Sequence, residues 1–397
     1  MFFSSLLNKK SEKVSLLLDI SSGTVSGSFV SFNEMQKPRV VHQVSLSFTT
    51  VDTQSSYVAA NKANMIQQVT TCVDKVLVKL FENKVRVSRA YLTFSPPWCE
   101  SETSAVHIEQ EKKFLITEQF LQDVLLVESK KFLDRIEKKN KIQSKVLEDK
   151  IVIEKRILQT EINGYGVPKS LGIKTNIFDI TVVFSAISEV LYKSITDKIF
   201  EHTHIHPNDV TIQSFFLSSY LVMYNLFQMD YVFIDVLGDT TNIFLVQKGL
   251  PQATATLPLG THFVIRKIAE KYNVSSEIAA SMLKIALKSI MNTETTEEIY
   301  EILADIEKEW AIYFADALAS FDSTFSLPTQ NFLSVTQDLL PIYFEYINII
   351  KTDVTAAYKK KLHVQAITEE MVQGKYSNNQ HQPFNVHNAL EAIVNAM

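Results

Sequence analysis

Leu18-Asp19-Ile20-Ser21-Ser22-Gly23-Thr24-Val25 and, much later, Ile234-Asp235-Val236-Leu237-Gly238-Asp239-Thr240-Thr241-Asn242 are built to one plan. Each is an apolar strand ending in Asp, followed by a turn of small and hydroxyl residues around a glycine, followed by a second strand. Glycine is scarce, with nine in 397 residues against an average usage of about 7%. Eight of the nine fall in three clusters: Gly23 and Gly27; Gly164, Gly166 and Gly172; Gly238, Gly249 and Gly260. A chain so sparing of glycine keeps it where backbone geometry or close approach requires it.

A hairpin of this kind presents backbone N–H groups and hydroxyls to phosphate oxygens, while its Asp holds Mg²⁺ or a water beside them. Either hairpin alone reads equally well as a tight β-turn; the pair suggests two sides of one cleft. The candidate nucleotide contacts are therefore Asp19, Ser21, Ser22, Gly23 and Thr24 from the first hairpin and Asp235, Gly238, Thr240 and Thr241 from the second. Asp19 and Asp235 are the candidate Mg²⁺ positions, acting through water. No side chain stands out as an acceptor-activating base, so no catalytic residue is assigned.

Outward from the first hairpin, the pattern predicts strands over Val14–Ile20, Gly27–Phe32, Val40–Phe48 and Arg89–Ser95, with a helix over Met65–Phe81. Past Pro96-Pro97 it predicts a strand over Trp98–Ile108, a helix over Thr117–Lys138 capped by Thr117, and a strand over Lys150–Ile162. The turn at Asn163-Gly164-Tyr165-Gly166 and Val167-Pro168 ends this unit. The main sheet is then expected to resume at Phe178–Ser185, with helices over Glu189–Phe200 and Val210–Met229 before a strand at Tyr231–Asp235. Strands at Asn242–Lys248 and Gln252–Leu257 lead to helices over Thr261–Tyr272, Ser276–Met291, Thr296–Glu307 and Trp310–Phe321. A strand at Asn331–Val335 and helices over Leu339–Lys351 and His387–Met397 follow. Alternating strands and helices define an α/β protein.

Composition narrows the function. Charged residues are 21%, hydrophobic residues 46% and the formal net charge is −5, with basic residues scattered, so an electrostatic footprint for nucleic acid is missing. Cys72 and Cys99 stand far apart, outside any metal or disulfide spacing. The 20 uncharged residues from Val210 to Met229 are interrupted by Thr211, Gln213, Ser214, Ser218, Ser219, Asn225 and Gln228, which favours a core helix over a membrane span. A cytoplasmic location is expected.

With its two hairpins the sequence resembles the actin, hexokinase and chaperone superfamily, and within it the bacterial division family FtsA. The marks are Thr160–Gly172, similar to the stretch leaving the FtsA 1C subdomain, and Ile180–Ile187, similar to the strand re-entering the main domain. Thr117–Val127 resembles the 1C helix, Phe216–Tyr220 the helix before the second hairpin, and Leu257-Pro258-Leu259-Gly260 with Ile265–Ala269 the entry to subdomain 2B. The resemblance implies an actin-like (ribonuclease H-like, duplicated) α/β fold with an FtsA-type, SHS2-like 1C insertion. It implies subdomain 1A from residues 14–97, 166–230 and 385–397, 1C from 98–165, 2A from 231–260 and 308–384, and 2B from 261–307. It further implies ATP with Mg²⁺ as ligand, self-assembly into a filament or oligomer, and a role as a division scaffold on the inner face of the cell membrane, with 1C presented to a membrane-associated division protein. PilM, the actin-like component of type IV pilus machines, shares this architecture, and would make the chain an adaptor for a peptide of an inner-membrane pilus protein. The Asn163-Gly164-Tyr165 turn and Leu171-Gly172 favour FtsA. A small-molecule kinase of the same fold ranks third.

The chain departs from the family pattern in the cleft. Leu237 and Asp239 replace the glycines that flank the centre of the second hairpin, Ser26 stands where actins carry Lys, and Thr336-Gln337-Asp338 replaces the glycine pair of the adenosine motif. Enzymatic turnover is therefore expected to be weak at most, and a pseudo-ATPase is the alternative. Residues 1–13, with Phe2, Phe3, Leu6 and Leu7 beside Lys9, Lys10 and Lys13, read either as a frayed leader or as an amphipathic segment for an anionic membrane. His202, His204 and His206 alternate as metal ligands in a strand would, but read better as a polar loop before Pro207.

Overall fold

The computed structural model describes residues 14–32, 37–48, 58–82, 85–142, 149–288, 294–321, 327–353, 363–378 and 382–397. The amphipathic leader predicted over 1–13 lies outside them. Strand β1 (Val14–Ser21) is buried at every position, as befits a central strand covered on both faces. It pairs antiparallel with β2 (Thr24–Ser31), which pairs antiparallel with β3 (Arg39–Ser47). Helix α1 (Val58–Phe81) carries the chain over to β4 (Ala90–Phe94), parallel to β1.

A second sheet has its own four strands and helix: β5 (Cys99–Leu115), α2 (Glu118–Ile142), β6 (Lys150–Ile162), β7 (Tyr165–Gly166) and β8 (Lys174–Ser188), in the order β5-β8-β6-β7. Thr117 Oγ1 accepts from Phe120 N and caps α2. Phe132 and Ile136 of α2 pack on Phe178, Ile180, Val182 and Phe184 of β8. Helix α3 (Glu189–Thr203) then leads to β9 (Val210–Ser214), parallel to β4, and helix α4 (Phe215–Phe227).

The plan then repeats. Strands β10 (Tyr231–Val236), β11 (Thr241–Gln247) and β12 (Leu250–Leu257) form an antiparallel meander. Helices α5 (Thr261–Tyr272), α6 (Ser276–Lys288) and α7 (Glu294–Ala319) lead to β13 (Gln330–Ser334), parallel to β10. After α8 (Leu340–Asp353) come β14 (His363–Ala366), parallel to β13, then α9 (Glu369–Val372) and α10 (Val386–Val394). The two five-stranded sheets have matching orders, β3-β2-β1-β4-β9 and β12-β11-β10-β13-β14. Asp19 faces Ser26 in β2 and Thr93 in β4, and Asp235 faces Asn242 in β11 and Ser334 in β13. The two Asp-led hairpins are thus equivalent parts of duplicated halves.

Four expectations need revision. Residues 178–185 do not resume the main sheet: β8 pairs with β5 and β6, so the inserted sheet takes a strand that the sequence reading gave to subdomain 1A. The fifth strand of the first half is β9, hidden at the start of what reads as one long helix, Val210–Met229. Without Gly or Pro between them, strand and helix join at Ser214, whose hydroxyl accepts from Leu217 N as the N-cap. The two helices expected on either side of Trp310 are one, because Thr296, Ile299, Leu303, Ile306, Trp310, Phe314 and Ala317 form an unbroken buried stripe. Finally, β14 was missed, being four residues long with a half-polar sequence.

Helices α4 and α10 lie between the halves. Leu17 and Tyr91 of the first sheet and Tyr231, Phe233, Phe244 and Phe332 of the second share one buried cluster with Phe215, Phe216, Val222 and Met223 of α4 and Ala389, Leu390, Ala392 and Ile393 of α10. This explains the uncharged stretch without a membrane: Phe215 to Tyr220, Val222 and Met223 of α4 are buried between the halves. Among the described residues no helix is long and apolar enough to cross a membrane.

Candidate functional site

The two hairpins meet across one cleft. Asp19, Ser21 and Thr24 from the first and Asp235 and Gly238 from the second line a single cavity of about 640 Å³. Thr336 and Gln337, which stand at the adenosine-motif position, line it too. Thr240 faces a different groove, and Thr241 is buried with its hydroxyl donating to Leu259 O at 2.7 Å.

The hairpins touch. Gly238 N donates to Ser22 O at 2.8 Å and Asp239 N to Ser22 Oγ at 3.1 Å. Gly23 takes φ +78°, a value open to glycine, and the ring of His262 lies against it: a Cβ on Gly23 would stand 2.6 Å from His262 Cε1. The carbonyls of Leu237 and Gly238 accept from Thr261 N and His262 N at the start of α5, at 2.8 and 2.7 Å. Asp239, the charge of the wrong sign for a phosphate, pairs with Arg266 at 2.9 Å and lies 3.3 Å from His262 Nδ1. The N–H groups of Gly238 and Asp239, which would cradle a phosphate from the second hairpin, are already engaged by Ser22 of the first, and His262 lies against both glycines. This arrangement does not fit a nucleotide phosphate.

Deeper in the cleft, the sequence reading missed the central residue. His387, on α10, stands between the two aspartates: Nε2 lies 3.0 and 3.2 Å from the Asp235 carboxylate oxygens and Nδ1 lies 3.2 Å from Asp19 Oδ2. Its ring stacks on Phe215, centroids 3.7 Å apart and planes 4° from parallel. One turn along α10, Glu391 is fully buried, with a carboxylate oxygen within 4.8 Å of ligand atoms of Asp19 and His387. The signal was present in Val386-His387-Asn388-Ala389-Leu390-Glu391: a His and a Glu at i and i+4 of a mostly apolar helix share one face and need partners when buried.

These groups hold protons. Burial works to lower the His387 pKa, but the charges of Asp235 and Asp19 outweigh it and hold it well above the usual histidine value. Burial, followed by the charge of Asp19, raises Glu391 well above the carboxylate range. Both shifts have the same sign for stability, since the folded chain keeps protons that the unfolded chain releases above about pH 4.3 for Glu and about 6.5 for His. Stability is therefore fullest on the acid side of those values and declines as pH rises through the folded-state pKa values. With chelator present, urea unfolding at pH 6 and pH 9 is expected to show the lower stability at pH 9, and Glu391→Gln to flatten that slope. An unchanged slope in the variant would exclude Glu391 as a proton holder.

The imidazoles at 202, 204 and 206 do not converge. His202 pairs with Asp74 at 3.0 Å, His204 is the left-handed C-cap of α3, and the His206 ring accepts from Asn208 N. Cys72 and Cys99 are buried and unpaired.

With two duplicated sheets and Asp-led hairpins facing across a cleft, the chain has the actin-like ATPase fold. PilM, in the structure titled "PilM-PilN type IV pilus biogenesis complex", is similar over 98% of both chains, with TM-score 0.56 and 12% identity. The ethanolamine utilization protein EutJ from Carboxydothermus hydrogenoformans gives TM-score 0.42 at 10% identity over 98% of this chain and 90% of that one. A protein from Bacteroides thetaiotaomicron with actin-like ATPase fold and unknown function gives 0.38 at 13% identity over 98% of both chains. No family model matches the chain, and no curated protein matches it. These likenesses concern the fold.

Proposed function

We propose that this chain is an actin-fold adaptor of the PilM kind, which holds an extended segment of a membrane-associated partner and works without nucleotide turnover. The reading rests on a groove of about 620 Å³ where two strands that end their sheets among the described residues approach each other. Strand β5 is the outer strand of the inserted sheet and β12 the outer strand of the second half. Ser101 and Thr103 of β5 line one wall with Arg135 of α2, and Gln252, Thr254 and Thr256 of β12 line the other. A strand that ends its sheet can offer main-chain N–H and C=O groups to an extended peptide. Support for a membrane-associated partner comes from the sequence resemblance, and the shared fold with the PilM of a PilM–PilN complex agrees with it. The mutual engagement of the hairpins supports the absence of turnover.

Photo-crosslinking residues placed at Thr103 and at Thr254 are expected to label the same short segment of one membrane-anchored protein in cells, and titration of the purified chain with Mg-ATP is expected to give no heat. Labelling of unrelated proteins from the two walls would remove the adaptor reading. Micromolar Mg-ATP binding would remove the nucleotide-free part of it. The other reading, an FtsA-type scaffold, predicts filaments on anionic vesicles, visible by electron microscopy.

A further inference from the structure

We propose that Asp19, His387 and Glu391 form a site for one divalent transition cation of the zinc or manganese class, ligated directly by protein and independent of any nucleotide. The proposal stands apart from the adaptor reading. Asp19 lies on β1 of the first half, and His387 and Glu391 lie one turn apart on α10. Their exposures are 4%, 7% and 0%. One ligand atom from each lies within 4.8 Å of the others.

Hydrogen bonding selects the imidazole face. Nε2 is directed at both oxygens of the buried Asp235 carboxylate, at 3.0 and 3.2 Å, which places one ring hydrogen there, so Nδ1 is the nitrogen a metal ion would take, displacing the second proton that the ring holds without it. A carboxylate behind the far nitrogen is the usual support of a metal-ligating histidine, since it fixes the tautomer and raises the basicity of the ligating atom. Nδ1 faces two carboxyl groups. Nδ1, Asp19 Oδ1 and both Glu391 oxygens are buried without a hydrogen-bond partner. Without a metal the protons on His387 and Glu391 offset the repulsion among these groups, and a cation in their midst would take the place of those protons while drawing on all three side chains.

A proton serves this geometry poorly. On Nδ1 it would have to point along a hydrogen bond to Asp19, yet the 3.2 Å approach of Nδ1 to Asp19 Oδ2 lacks that alignment. A metal ion makes no such directional demand on a single pair and draws on all three donors together. The same 3.2 Å is also close to the edge of a tetrahedron with metal–ligand bonds of about 2.0–2.2 Å. One imidazole and two carboxylates suit Zn²⁺, Mn²⁺ or Fe²⁺, whereas Mg²⁺ and Ca²⁺ prefer oxygen ligands alone. Asp19 and His387 also line the 640 Å³ cavity, which supplies a route of entry and room for water as a further ligand.

The test is calorimetric titration of the chelator-treated full chain with ZnCl₂ and with MnCl₂. One equivalent is expected to bind and to raise the unfolding midpoint. Glu391→Gln, close in shape, is expected to weaken binding at least tenfold, and Asp235→Asn, which touches only the far nitrogen, about 10–100-fold. The double substitution His204→Gln, His206→Gln removes surface imidazoles and is expected to change nothing. Failure of both ions to bind stoichiometrically would overturn the proposal, as would equal binding by the native chain and Glu391→Gln, or loss of binding in the His204 and His206 variant. Should Glu391→Gln not fold, the Co²⁺-loaded native chain decides: a visible absorption band of a four-coordinate ion is expected, and a spectrum of hydrated Co²⁺ alone would sink the site.

Discussion

Replacing His387 by Leu is expected to cost the fold about 3–5 kcal/mol, the range found when one partner of a buried charge pair is removed. Asp235 is fully buried and Asp19 is 4% exposed; a leucine would leave the two carboxylates facing apolar atoms. The imidazole also reaches from one duplicated hairpin strand to the other, with β1 on one side and β10 on the other. Asp235→Asn is expected to cost much less, because an amide oxygen still accepts from His387 Nε2. Urea unfolding of the three proteins at one pH gives the comparison. A loss below about 1 kcal/mol for His387→Leu would mean that the aspartates find other partners and that the imidazole does not join the halves.

Gly260→Ala is expected to be the most damaging glycine substitution in the cleft. Its Cβ would stand 2.5 Å from the carbonyl oxygens of both Leu237 and Gly238, and these are backbone atoms that no rotamer change can move. Gly260 has φ −129°, so the conflict is one of space and not of backbone conformation. Relief requires α5 to back away, which breaks the bonds from Thr261 N and His262 N to those carbonyls and withdraws His262 from the glycines it covers. Overpacking of about 1–3 kcal/mol combines with the loss of two hydrogen bonds at about 0.5–1.5 kcal/mol each. Gly166→Ala is the control: it meets nothing within 4 Å and is expected to change stability by no more than about 0.5 kcal/mol. Equal unfolding midpoints for the two variants would show that the hairpin and α5 are not in firm contact.

The duplicated hairpins were legible in the sequence because their signal is local: an apolar run, an Asp, a glycine turn and a second run, all within about ten residues. The strands of both meanders followed for the same reason. Strand β9 was not legible, since VTIQS continues into FFLSS without a breaker and the whole stretch is uncharged. Nor was the partnership of β8, because which sheet accepts a strand is settled by the packing of Phe178, Val182 and Phe184 on α2 and not by the strand's own pattern. The site was half legible. Asp19 and Asp235 could be named from their hairpins, whereas His387 and Glu391 enter from a helix that shares no local motif with either. Leu237 and Asp239 were recognised as departures, but the consequence of Asp239 needed Arg266 and His262, which reach it from α5.

The position of α10 bears on how the chain acquires its structure. Asn388 Nδ2 donates to Gln43 Oε1 across 345 residues of sequence, and the same helix packs against β1 and β2 of the opening meander. On a ribosome the first five-stranded sheet emerges long before the helix that covers its inner face. Until then Leu17 and Val30 have no such cover, and so distant a pairing is slow to form. Covering of the first sheet must therefore wait for a helix made long after it.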